Sequence, residues 1–148
     1  MKRLFLSTLL TAGLVASSAM ADMIRVQSNH DVDTTIDRLA AAVEGAGAKV
    51  FARIEHAKGA ASVGMELSPS AALIFGNPKL GTPALQAGAT MGLDLPLRVL
   101  AYEEGGKVWM VYHNPADVAA LHGLPADHPV IAKMTGALGK LTAKAASE

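Results

Sequence analysis

Leu97–His113 reads LRVLAYEEGGKVWMVYH. Leu97 to Glu103 and Lys107 to His113 are two strand-like runs rich in β-branched and aromatic residues. Glu104-Gly105-Gly106 joins them, and paired glycines suit a tight hairpin that needs positive φ. Two consecutive strands late in the chain, with no helix between them, argue for an α+β fold rather than a doubly wound sheet.

Upstream of the hairpin, Ala71–Phe75 (AALIF) reads as a short buried strand. Gly76-Asn77-Pro78 after it is turn chemistry. Thr82-Pro83 reads as an N-cap and first helical position, with the helix running to about Met91 and Gly92 as its stop. Ser68-Pro69-Ser70 breaks the chain, and the alanine-rich Ala57–Gly64 predicts a short helix. Lys49–His56 (KVFARIEH) alternates as a strand. Strict alternation places Val50, Ala52, Ile54 and His56 on one face, and Lys49, Phe51, Arg53 and Glu55 on the other. Earlier still, Asp31 is the expected N-cap of a helix whose apolar stripe is Val32, Ile36, Leu39, Ala40 and Val43. Gly45 and Gly47 end it, and Met23–Gln27 precedes it as a first strand.

Downstream, Asn114-Pro115 opens a short helix that Gly123 closes. Asp127 is the expected cap of a final helix with Val130, Ile131, Met134, Leu138, Leu141 and Ala145 at helical spacing. Gly136 and Gly139 weaken that helix by about 1 kcal/mol each relative to alanine, so packing must hold it.

The N-terminus carries a different message. Lys2 and Arg3 precede an uncharged, mostly apolar run, Leu4–Ala16, and Ala19-Met20-Ala21 follows as a small-residue cleavage site. That order is the pattern of a secretory signal, and the run is shorter than the roughly 20 residues a bilayer span takes. The chain therefore divides into a signal peptide, 1–21, and one domain, 22–148, and a periplasmic or secreted location is expected. No second segment is long and apolar enough to span a membrane. The whole chain of 148 residues has 13 basic and 13 acidic residues. Loss of Lys2 and Arg3 leaves a mildly acidic domain, which gives no electrostatic attraction to nucleic acid or anionic lipid. There is no cysteine, so disulfides, a covalent c-type haem and a cysteine nucleophile are excluded.

Three motifs carry a family resemblance: FARIEHA at Phe51–Ala57, LIFGNPK at Leu73–Lys79 and GLDLPLR at Gly92–Arg98. In order and at this separation, they resemble the bacterial and archaeal family called domain of unknown function 302, over roughly Ile24–Leu121. The resemblance implies a single antiparallel sheet with helices packed on one side, of the β-α-β-β-β-β-α type also seen in TATA-binding proteins. The helix after Gly123 would be an addition at the C-terminal end. The resemblance also implies a homodimer. It implies no activity, and a shared fold with TATA-binding proteins brings no nucleic-acid function.

Four residues in or beside these motifs are candidate ligand contacts: His56, Asn77, Asp94 and Arg98. His56 has a pKa range suited to acid–base work or to metal or non-covalent haem ligation; the competing reading is a structural histidine bonded to a carbonyl at the strand end. Asp94 can cap backbone amides, and Arg98 can pair with it or with Glu66. Arg98 then serves as the clamp of a polar pocket for a small anion, or the group is a turn network that stabilises its loop. The other histidines, His30, His113, His122 and His128, form no zinc-type spacing. Met65, Met91, Met110 and Met134 are scattered singly, which suits core filling better than copper. No G-x-S-x-G elbow or phosphate-binding glycine loop is present. The leading expectation is an exported binding module for a small ligand or metal centre near His56. The alternatives are a structural or protein-interaction domain and, last, a hydrolase-type enzyme with His56 as general base.

Overall fold

The computed structural model describes residues 22–147; the signal reading, with its cleavage residues Ala19 and Ala21, lies outside them. Five strands form one antiparallel sheet: β1 (Met23–Ser28), β2 (Lys49–Glu55), β3 (Ser70–Gly76), β4 (Leu97–Glu104) and β5 (Lys107–His113). Their spatial order is β1-β5-β4-β3-β2. Five α-helices are interleaved: α1 (Val32–Gly45), α2 (His56–Ser62), α3 (Pro78–Ala87), α4 (Pro115–Leu121) and α5 (Pro129–Ala146). A short 3-10 helix, Ala89–Leu93, follows α3. The α+β class and the single antiparallel sheet are as the sequence predicts.

The β4–β5 hairpin forms with Glu104 opposite Lys107. Gly105 and Gly106 have φ of 61° and 72°, the conformation that glycine adopts at no steric cost. Pairing puts Val99, Ala101, Met110 and Tyr112 on the buried face. Ile36, Leu39 and Val43 of α1 and Leu138, Ala145 and Ala146 of α5 pack on that face. Each fully buried Leu, Ile or Phe in this layer stabilises the fold by about 1.5–3 kcal/mol. The two glycines of α5 are tolerated because the helix docks along its length. Its C-terminal carbonyls are bonded as well: Arg38 Nε donates to Ala145 O at 3.1 Å, and Asn29 N to Ala146 O at 3.2 Å.

Helix α1 begins as expected. Asp31 Oδ1 accepts from Thr34 N at 2.7 Å, and that bond holds the Asp31 carboxyl below the usual carboxylate range. Two other caps differ from expectation. Asn77 caps α3, its Oδ1 accepting from Lys79 N at 2.9 Å with Pro78 in the first turn. Thr82-Pro83 therefore lies inside that helix, which ends at Ala87 rather than near Met91. His128, not Asp127, caps α5, with Pro129 next and Nδ1 accepting from Val130 N at 3.3 Å. Helices α3, α4 and α5 thus each start with proline directly after the cap, where the missing N–H costs nothing.

The strict alternation expected for β2 is broken by a bulge between Val50 and Ala52. Val50 pairs with Phe75 on the buried side, whereas Ala52 and Ile54 pair with Ile74 and Ala72 on the opposite, uncovered face. The extra residue reverses the facing of everything after it. Arg53 and Glu55 consequently turn toward α1. Arg53 NH1 bonds Asp37 Oδ1 and NH2 bonds Asp33 Oδ1, both at 2.6 Å. His56 does not end the strand with Val50; it is the first residue of α2.

Candidate functional site

A second apolar cluster, separate from the main core, positions the motif residues. Ala84 of α3, Met91, Val118 and Ala119 of α4, Leu124, and Ile131 and Met134 of α5 are buried together. The Asp94–Arg98 segment crosses this cluster between the 3-10 helix and β4, with a cis Leu95–Pro96 bond.

Two cavities flank that segment. The first, about 310 Å³, is lined by His56, Asp94, Arg98 and His113 among mostly apolar neighbours. Three of the four sequence candidates line it: His56 at the start of α2, Asp94 just after the 3-10 helix, and Arg98 in β4. The second, about 400 Å³, is lined by Asn77, Gly81, Thr82, Leu85 and Pro96 among others. Leu95, Leu97 and Met134 wall both cavities.

The polar groups differ in how far they are committed. Asp94 Oδ1 accepts from Arg98 NH2 at 3.1 Å, so Arg98 pairs with Asp94 and not with Glu66. Asp94 Oδ2 lies 2.8 Å from His122 Nε2, and His122 Nδ1 lies 3.0 Å from Thr90 Oγ1. The His122 side chain is only 8% exposed. It ties the end of α4 to the 3-10 helix and so holds the carboxylate in place. Arg98, half exposed, keeps further N–H groups that no described residue accepts. His56 and His113 are exposed at the same cavity, and among the described residues their rings meet no hydrogen-bond partner. His56 and His113, together with the N–H groups of Arg98 beyond its bond to Asp94, are thus polar groups free at the first cavity.

Asn77 is elsewhere. Besides capping α3, its Nδ2 donates to Gly47 O at 3.2 Å, so the side chain is occupied in joining α3 to the α1–β2 turn. Sequence reasoning gave His122 no specific role, because nothing in its neighbourhood announces a partner 28 positions away. The Asn114-Pro115 opening and the Gly123 turn, with φ of 74°, did signal that His122 ends a helix. Among the described residues, no group of three His, Asp or Glu gathers as metal ligands would. Met91, Met110 and Met134 are core residues, each no more than 2% exposed, whereas Met65 is exposed.

The face of the sheet opposite α1 and α5 carries Ile54, Ala72, Ile74, Leu100, Val111 and Met23. Arg25 lies on it with its guanidinium 4.5 Å from the Trp109 ring centroid and 2.8 Å from Glu104. The bond to Glu104 raises the Arg25 pKa further.

Comparisons with known proteins agree on the fold. A crystal structure of an uncharacterized conserved DUF302 protein from Bacillus stearothermophilus superposes with a TM-score of 0.76, covering 83% of this chain and 97% of that one at 19% identity. That likeness is one of fold. The chain is 42% identical over 137 residues to proteins named fluoride-specific ion channel FluC 1 in Brucella suis biovar 1 and Brucella abortus biovar 1. The match takes in 90% of this chain but 54% and 50% of those relatives; the chain spans about half their length. No described helix is long and apolar enough to cross a membrane. The model of the family described as domain of unknown function DUF302 matches residues 24–141, and on that match over most of its length the chain belongs to this family.

Proposed function

We propose that the protein is an exported, non-catalytic binding module that holds a small organic ligand in the cavity beside His56. One observation carries the reading: His56, Arg98 and His113 line one largely apolar cavity, the two histidines without a hydrogen-bond partner among the described residues and Arg98 with N–H groups beyond its bond to Asp94. Concave, mostly apolar sites with a few convergent polar groups are where small molecules bind. A metal centre is the weaker version, since the donors gathered there are too few. Fluoride conduction is not part of the reading: that name belongs to proteins about twice the matched length.

Native mass spectrometry of protein purified from the envelope fraction tests it. The expected result is a small-molecule adduct that disappears in Arg98→Gln while circular dichroism stays unchanged. Protein recovered bare, with no rise in Tm from any of a panel of small organic acids, would refute the reading.

A second reading concerns the uncovered sheet face. Its apolar row of Ile54, Ile74, Leu100 and Val111 favours burial against a second copy of the chain, a homodimer formed sheet to sheet. It would make this face the interface and would cover the part of the first cavity that Leu100 and Val111 line.

A further inference from the structure

The two cavities beside Asp94–Arg98 differ in chemistry, and the difference specifies a ligand. At the first, Arg98, His56 and His113 offer donors. Among them Arg98 is a permanent cation, and its further N–H groups lie beyond its bond to Asp94. At the second, the walls are Phe51, Leu80, Leu85, Pro96 and Met134, with Gly81 and Gly92 adding no side chain. Its polar members are Asn77, the cap of α3, and Thr82 within that helix, and Asn77 is occupied by Lys79 N and Gly47 O. Leu95, Leu97 and Met134 line both, and all three side chains are apolar.

We infer that the ligand is an amphipathic carboxylate, its head held by Arg98, and its alkyl chain passing Leu95, Leu97 and Met134 into the second cavity. This rests on the binding-module reading above and adds the class of ligand. A carboxylate accepts paired N–H donors from a guanidinium. An alkyl chain needs no hydrogen bonds, which matches walls that offer almost none. The volumes, about 310 and 400 Å³, fall in the range of small-molecule sites.

Nuclear magnetic resonance titration of the full domain with acetate, butyrate, hexanoate and octanoate tests the inference, since it reads weak as well as tight binding. Affinity should rise about fourfold per buried methylene. Octanol, lacking the charge, should bind far more weakly than octanoate. Two variants separate the ends of the site. Arg98→Gln should weaken every carboxylate by a similar factor. Gly81→Leu should return octanoate to the affinity of acetate and leave acetate unchanged. A Cβ at Gly81 meets no atom within 4 Å, and leucine favours a helix more than glycine does, so the variant should fold. Carboxylates that bind with no dependence on chain length, or octanoate binding untouched by Gly81→Leu, would overturn this inference and leave the binding module standing. No perturbation by any carboxylate, together with bare protein from the envelope fraction, would overturn both.

Discussion

Replacing Gly88 with alanine should destabilise the protein, and the loss should disappear once Leu124 is shortened. Gly88 ends α3 with φ −158° and ψ 108°, extended backbone that any residue adopts. Restricting the unfolded chain would by itself stabilise by about 0.4–1 kcal/mol. A Cβ at this position, however, would collide with Leu124 Cδ1. Leu124 is 6% exposed and packed with Met91, Ile131 and Met134, so its methyl has little room to retreat. Overfilling such a site costs about 1–3 kcal/mol. The balance is a net loss of about 1–2 kcal/mol, or a fall in Tm of about 3–10 °C for a domain of this size. Leu124→Ala alone should cost about 2–5 kcal/mol. In that background the clash is gone, and Gly88→Ala should become neutral or stabilising. Urea unfolding of the four proteins gives the double-mutant cycle directly. An equal loss from Gly88→Ala in both backgrounds would refute the reasoning. The contact matters beyond stability, because it joins the chain leading to Asp94 with the chain leaving His122.

Two further outcomes follow from the same structure. His122→Ala should destabilise by about 1–3 kcal/mol, since it removes a nearly buried ring bonded to Asp94 and Thr90; a change under about 0.5 kcal/mol, as at ordinary surface positions, would mean the network holds nothing. Asp31 has its pKa lowered in the folded state by its bond to Thr34 N, so its contribution is fully present above the unfolded-state value and lost as pH falls through the folded one. Urea unfolding across the acidic range should show that loss, and Asp31→Asn should flatten that part of the profile; identical profiles would contradict it.

Much of the fold was legible because it is local. The Gly105-Gly106 hairpin, the Asp31 cap and the Asn114-Pro115 helix start each rest on chemistry within a few residues. The same locality explains the errors. Thr82-Pro83 and Asn77-Pro78 are equally good helix starts in isolation, and only the strand end at Gly76 selects the earlier one. Asp127 lost to His128 for a similar reason: Pro129 sets which residue stands just before the first turn.

The site divides along the same line. His56, Asn77, Asp94 and Arg98 were legible as candidates from the sequence, and cysteine chemistry could be excluded, but Arg98 was left to pair with either Asp94 or Glu66. Tertiary structure alone decided that His56 and Arg98 share a cavity with His113, that Asn77 is consumed by Gly47, and that His122 reaches Asp94. It also decided that the β2 bulge turns Arg53 toward α1. The physical reason is that these are contacts between distant segments. A bulge leaves one residue out of the ladder and reverses the facing of those that follow. It is settled by which side chains the packed helices can accept, and no stretch of β2 carries that information alone.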